Sequence, residues 1–350
     1  MAMKKLYKTL LALPFAGCLV VGASQAQEVK ELNFGIISTE SSQNLKNKWE
    51  PLLADMSRKT GYKVKSFFAP DYAGIIQGMR FNKVDLALFG NNSAMEAVDR
   101  ANGEVIYQLV NKEGQPGYWS LLITHKDSPV NSVEQMLAQA ENLNFGNGDP
   151  NSTSGYLVPG YYVFAKNNVE PNKIFKRSLN GNHEVNALSV ANKQLDVATF
   201  NTGAMDRLSR SHPEKAEKLK VIWQSPLIPD NPIVWRADLP DETKLVIKTF
   251  FDTYGDEAAE LQLLNGMNLS KFKASSNDQL LPIRQLDLFQ QRSAIATDAR
   301  LSQQQKQEKT ALLDAELEKI SLRMQALEKK PVLKPLYFFI NPINYLLLIT

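Results

Sequence analysis

From Leu32 to Tyr254, short apolar runs alternate with amphipathic helical patterns, which restricts this chain to sheets with parallel pairing covered by helices. Leu32 to Ile37 is expected as a strand, and a helix from Thr39 carries Leu45, Trp49, Leu52, Leu53 and Met56 on one face. Val64 to Phe68 and Val84 to Phe89 are further strands, with a helix from Tyr72 to Phe81 between them and another from Ser93. Tyr118 to His125, Leu143 to Phe145, Phe175 to Leu179 and Leu195 to Thr199 form a second set of strands. Helices near Val133 to Ala140, Tyr156 to Asn167, Asn182 to Asn192 and Gly203 to Ser209 separate them. Val221 to Ser225, Ile233 to Arg236 and a helix near Thr243 to Tyr254 return to the first set. Two α/β lobes joined by crossing strands, with a cleft between them, follow from this order.

The expected divisions are a leader over 1–26, a first lobe over 27–117, a second lobe over 118–222, a return to the first over 223–292, and a helical extension over 293–330. An apolar tail occupies 331–350 and is too short, and too interrupted at Asn341-Pro342, to span a bilayer. In the leader, Lys4, Lys5 and Lys8 precede an apolar run from Leu10 to Ala23, and Ser24-Gln25-Ala26 supplies the small residues of an export cleavage site. Secretion through a cleavable signal is expected, in preference to lipid anchoring at Cys18. The leader holds three of the 40 basic residues and none of the 37 acidic ones, so the remainder is electrically balanced and unsuited to nucleic acid. Cys18 is the only cysteine, so the chain after the leader has neither a disulfide nor a thiolate metal site.

From Ser302 the sequence is rich in Gln, Lys, Glu, Leu and Ala, and it holds no Gly or Pro before Pro331. Leu313, Leu317, Ile320, Met324 and Leu327 give this long helix a narrow apolar seam. Packing on its own domain and a homodimer contact are the two uses such a seam can have.

Ligands of open α/β sheets bind beyond the carboxyl ends of the strands, where loops enter helices. The run Phe145 to Gly155, FGNGDPNSTSG, puts Ser152, Thr153 and Ser154 at such a place with no cation adjacent in sequence. Unpaired backbone N–H groups at a helix start, together with hydroxyl donors, suit a small oxyanion. One helix cap needs one hydroxyl, and three in a row exceed that. Asp71 and Tyr72, Gly90 to Ser93, Asn182-His183-Glu184, Asn201-Thr202 and Asp230-Asn231 occupy equivalent loops. Each also has an ordinary reading as a cap, a packed ring or a surface residue. A serine hydrolase with Ser152 or Ser154, His183 and Asp149 lacks a G-x-S-x-G elbow and places its acid too close to the serines. Three scattered histidines form no metal-ligand pattern, and no P-loop is present, so neither an enzyme nor a cofactor is expected.

The runs LNFGIISTESSQNLK, FFAPDYAGIIQGMRFNKVDLALFGNNSAMEAVDRANG, GYWSLLI, FGNGDPNSTSGYLVPGYYVFAKNN and SPLIPDNPIVW closely resemble the periplasmic phosphonate-binding proteins of bacterial ABC transporters. The resemblance extends from Leu32 to about Leu288. It implies a type II periplasmic-binding fold that closes on a phosphonate and delivers it to an inner-membrane permease and its ATPase. It implies that Ser152, Thr153, Ser154, Tyr72, Tyr118 and His183 hold the phosphonate oxygens. Family members that take aminoalkyl phosphonates resemble one another in carrying carboxylates where this chain has Gly203 and Asn231, with Asp230 one residue away. A weakened preference for aminoethylphosphonate and relatively better binding of alkylphosphonates are therefore expected. Phosphite, phosphate or another small oxyanion is the alternative ligand, and Phe89 is expected as an apolar wall disfavouring phosphate.

Overall fold

A computed structural model describes residues 30–329. The leader, Cys18 and the apolar tail lie outside the described residues. In chain order the first half contains β1 (Glu31–Ile36), α1 (Ser42–Thr60), β2 (Lys63–Phe67), α2 (Tyr72–Arg80), β3 (Leu86–Leu88), α3 (Asn91–Arg100), β4 (Gly103–Gln108), β5 (Gly117–Tyr118) and β6 (Ser120–His125). There follow α4 (Val133–Ala138), β7 (Asn144–Asn147), α5 (Pro171–Ile174), β8 (Arg177–Asn180), α6 (His183–Ala191), β9 (Val197–Asn201), α7 (Thr202–Ser211) and α8 (Pro213–Ala216). The chain continues with β10 (Leu219–Gln224), β11 (Ile228–Pro229), β12 (Pro232–Arg236), α9 (Asp241–Thr253) and α10 (Ala258–Gly266). It ends with β13 (Lys273–Ala274), α11 (Leu281–Thr297) and α12 (Gln303–Glu328).

The strands form a six-stranded sheet in the order β13-β4-β12-β3-β1-β2 and a five-stranded sheet in the order β10-β6-β9-β7-β8. Each sheet has a parallel half that runs to one edge, β3-β1-β2 in one and β9-β7-β8 in the other, and antiparallel strands complete the opposite side. The two chain crossings pair with each other as the short antiparallel ribbon β5-β11, with Ile228 opposite Tyr118. This ribbon tolerates only glycine at 117, because a Cβ there would stand 2.0 Å from the Ile228 carbonyl oxygen.

Both sheets are covered on both faces, so successive strand residues feed different cores. On β3, Leu86 and Leu88 pack with Phe34, Trp49 and Phe251, whereas Ala87 and the following Phe89 pack with Ile75, Met79 and Ala94. On the second sheet, Phe145 and Val197 face one core, and Ala198 and Phe200 the other. Each large apolar side chain removed from water contributes about 1.5–3 kcal/mol, which is why the parallel halves hold.

Two expectations need correction. α1 begins at Ser42, not Thr39, because the Ser41 side chain accepts the Asn44 N–H and caps it. The sequence reading missed β4, whose burial alternates at Gly103, Glu104 and Val105 and whose Glu104 carboxylate accepts the Trp235 indole N–H. Of the two uses open to the apolar seam of α12, packing within the chain is the one seen: Ile320, Met324 and Leu327 pack on Leu281 and Leu288 of α11.

Candidate functional site

A cavity of about 310 Å³ opens between the two sheets. Tyr72, Tyr118, Ser152, Thr153, Ser154 and His183 all line it, as do Gly203, Asp230 and Asn231. Phe89 does not line it. Its neighbours Leu88 and Gly90 do, while the Phe89 ring is fully buried among α2 and α3 side chains.

The hydroxyl run sits where β7 gives way to a widened, π-type helical turn over Thr153–Leu157. Ser152 caps that turn by accepting the Gly155 N–H at 3.0 Å. Gly148 donates to the Gly155 carbonyl at 2.9 Å, a backbone approach so close that a Cβ on Gly148 would lie 2.4 Å from the Gly155 carbonyl carbon. Thr153 Oγ1 accepts the Asn92 N–H at the start of α3 at 2.9 Å. Ser154 is anchored through its carbonyl, which accepts the Ser120 hydroxyl at 2.6 Å. The strand-to-helix loop thereby turns three hydroxyls inward and keeps them buried.

His183 opens α6, behind the Asn182 cap, and its protonation is fixed by Asn201. Asn201 Oδ1 accepts the Ala204 N–H at 2.7 Å, which orients the amide so that Nδ2 faces His183 Nε2 at 2.9 Å and Ser154 Oγ at 3.0 Å. With Nε2 as acceptor, the ring proton lies on Nδ1, a buried atom without a partner among the described residues. Burial, then the Arg207 charge, depress the imidazole to about 3, so it is a neutral donor at physiological pH. The Tyr72 phenol faces Ser152, and the Tyr118 phenol faces Ser154 and Thr153. Burial raises both phenols above their ordinary range, so both keep their protons. The floor of the cavity is therefore a set of uncharged O–H and N–H donors.

Sequence reasoning missed the charged groups that the fold adds to the cavity. Lys48 of α1 and Arg207 of α7 line it, and Arg207 Nε lies 2.5 Å from Glu40. Burial, followed by the charge of Arg207, lowers the Lys48 ammonium to about 7. Burial raises the Asp230 carboxyl to about 6. A signal for the two cations existed. Lys48 falls three residues after Leu45 and four before Leu52 on the inward stripe of α1, and Arg207 falls one helical turn after Gly203.

The lobes touch through side chains of the second lobe at helix starts of the first. Asp149 Oδ2 accepts the Tyr72 N–H at 3.1 Å at the beginning of α2. The Glu184 carboxylate accepts the Ser41 N–H at 2.8 Å and the Asn44 amide at 2.7 Å at the beginning of α1. Carboxylates are stabilised at such termini by unpaired N–H groups and the helix dipole.

A family model described as "ABC transporter, phosphonate, periplasmic substrate-binding protein" matches residues 34–280. The phosphonates-binding periplasmic protein of Escherichia coli is 56% identical over 309 residues, which is 88% of this chain and 91% of that protein. The crystal structure of a binding-protein component of a Pseudomonas aeruginosa ABC phosphonate transporter is 63% identical and superposes with a TM-score of 0.85, covering 86% of this chain and all of that one. A Prochlorococcus marinus protein solved with methylphosphonate shares the fold at 23% identity and a TM-score of 0.65, covering 73% of this chain and 97% of that one.

Proposed function

The chain belongs to the periplasmic phosphonate-binding proteins of ABC transporters, and from that premise we propose that Tyr72, Tyr118, Ser152, Thr153, Ser154 and His183 hold the three phosphonate oxygens. The observation that carries this assignment is their convergence, all as neutral donors, on one cavity between the sheets. Each hydrogen bond to the anionic group contributes about 1.5–3 kcal/mol, and closing the lobes strengthens it by excluding water. Family members are solute-binding components of importers, so the consequence of binding is handover to a membrane permease and its ATPase, not chemistry on the ligand.

We further propose the division into lobes at 27–117 with 223–292, and 118–222, with the β5-β11 ribbon as the hinge. Tyr72 then comes from the first lobe and the Ser152 to Ser154 run from the second, so one ligand favours the closed state by touching both. With glycine at 203 and asparagine at 231, aminoethylphosphonate has little advantage over ethylphosphonate. Its ammonium gains Asp230 but faces Lys48 and Arg207 as like charges. Phosphite and phosphate bind less well than alkylphosphonates. Ile37 and Leu88 line the cavity and supply the apolar contact first expected of Phe89.

The test is calorimetric titration of the ligand-stripped protein with methylphosphonate, aminoethylphosphonate, phosphite and phosphate. Tightest binding of methylphosphonate supports the full reading. Preference for phosphate or phosphite would replace it with the oxyanion alternative.

A further inference from the structure

Away from the hydroxyl floor, the same cavity carries a second set of polar groups that a phosphonate head does not use. Lys48 has no ion pair and no side-chain hydrogen bond among the described residues. Arg207 has Glu40 as its ion-pair partner, and its Nη1 stands 3.6 Å from where a Cβ on Gly203 would be, so the guanidinium borders the space that glycine leaves open. Opposite in charge, the Asp230 carboxylate accepts only the N–H of its own neighbour Asn231 among the described residues. Asn231 Oδ1 is buried without a partner among the described residues. Arg210, the other cation lining this side, is paired with Asp206.

The groups a ligand could engage thus divide into donors, the unpaired Lys48 and the Glu40-paired Arg207 guanidinium beside Gly203, and acceptors, the Asp230 carboxylate and the Asn231 side-chain carbonyl. Lys48 and Asp230 act on each other electrostatically without forming an ion pair. Buried groups of both signs left unmatched are costly unless a ligand completes them. A lone ammonium satisfies the acceptors and opposes the donors, and a lone carboxylate does the reverse. A substituent bearing both satisfies all four. The low value of the Lys48 ammonium, about 7, is consistent with a cation that lacks its anion in the empty cavity.

Resting on the phosphonate reading above, we propose that the preferred ligand is a phosphonate whose substituent is a zwitterionic amino acid group, its carboxylate held by Lys48 and Arg207 and its ammonium by Asp230 and Asn231.

The experiment is calorimetric titration of the ligand-stripped protein with ethylphosphonate, aminoethylphosphonate and phosphonoalanine, the last two differing by the carboxylate. Phosphonoalanine should bind about tenfold or more tightly than aminoethylphosphonate, the gain of a charge-assisted pair. In Lys48→Met that ratio should fall to about one, while Lys48→Arg, which keeps the charge, should preserve most of it. Both ligands are compared on the same variant, so altered stability cannot produce the change, and circular dichroism checks that each variant is folded. Equal or weaker binding of phosphonoalanine by the unaltered protein would overturn the proposal, as would a ratio that survives in Lys48→Met. If ethylphosphonate binds in those same titrations, the phosphonate reading stands regardless. If none of the three binds, that reading fails as well.

Discussion

Asn201 holds His183 in one tautomer: the amide nitrogen sits 2.9 Å from Nε2 because the amide oxygen is already engaged in capping α7. The ring therefore offers Nδ1–H and not a lone pair, and the sign of its interaction with an oxyanion depends on a residue that is itself mostly a helix cap.

Asn201→Asp keeps the cap but turns the donor facing Nε2 into an acceptor. The ring proton should move to Nε2, exposing a lone pair at Nδ1. Affinity for methylphosphonate should drop about tenfold to a hundredfold, the scale of one charge-assisted hydrogen bond lost and a repulsion gained. Nitrogen NMR of the imidazole reports the tautomer and calorimetry reports the affinity. A tautomer change without loss of affinity would remove His183 from the site.

His183 also makes stability depend on pH. Its folded value, about 3, lies below the ordinary 6.5, so between these values the unfolded chain binds more protons than the folded one. Stability from this group is complete above 6.5 and is lost as the pH falls toward about 3, with a slope of at most about 1.4 kcal/mol per pH unit. Denaturant titrations between pH 4 and 7 should show a shallower decline for His183→Gln than for the unaltered protein.

Replacing Ser152, Thr153 and Ser154 together by alanine should abolish phosphonate binding. Loss of the Ser152 cap and of the Thr153 acceptor for Asn92 should also cost about 1–3 kcal/mol of stability. Far-ultraviolet dichroism and calorimetry separate the two effects. Persistent binding by a folded triple variant means the oxyanion sits elsewhere.

Glu184→Ala removes the carboxylate that meets Ser41 and Asn44 across the cleft without touching the cavity floor. It should weaken all phosphonates by a common factor, roughly threefold to tenfold, by releasing the closed state. Small-angle scattering should show a larger radius of gyration for the variant than for the unaltered protein at the same subsaturating ligand concentration. Unequal losses among ligands would show that Glu184 acts on the ligand and not on closure.

Gly117→Ala should destabilise the protein by more than about 3 kcal/mol, since its Cβ meets the Ile228 carbonyl and the ribbon cannot move without shifting both sheets. Thermal melting decides this, and an unchanged midpoint would mean the ribbon is soft.

How much of this was legible in the sequence depended on whether a pattern had one solution. The alternation of strands and helices did, and so did Asp71, whose side chain accepts the Gly74 N–H and caps α2 as its position suggested. The stripe on α1 named Leu45, Trp49, Leu52, Leu53 and Met56 correctly. The direction of Phe89 was not legible, because both faces of β3 are buried and an apolar run without alternation carries no information about sides. Lys48 and Arg207 were half legible: spacing put Lys48 on the inward stripe of α1 and Arg207 one turn after Gly203. That the two meet in one cavity depends on how α1 and α7 approach each other from opposite lobes, which no local spacing encodes. The use of the α12 seam was undecided in sequence, since a cis and a trans partner ask for the same residues.

In the first sheet β12 lies between β3 and β4, although it is made more than a hundred residues after either of them begins. A chain that emerges from its N-terminus thus carries β1 to β4 with a vacancy at the middle of their sheet until Arg236 has followed. The second sheet has no such debt, because all five of its strands fall in one unbroken stretch from Ser120 to Gln224. In order of delivery the second sheet is therefore complete at Gln224, before the first sheet has received the strand that joins its two sides.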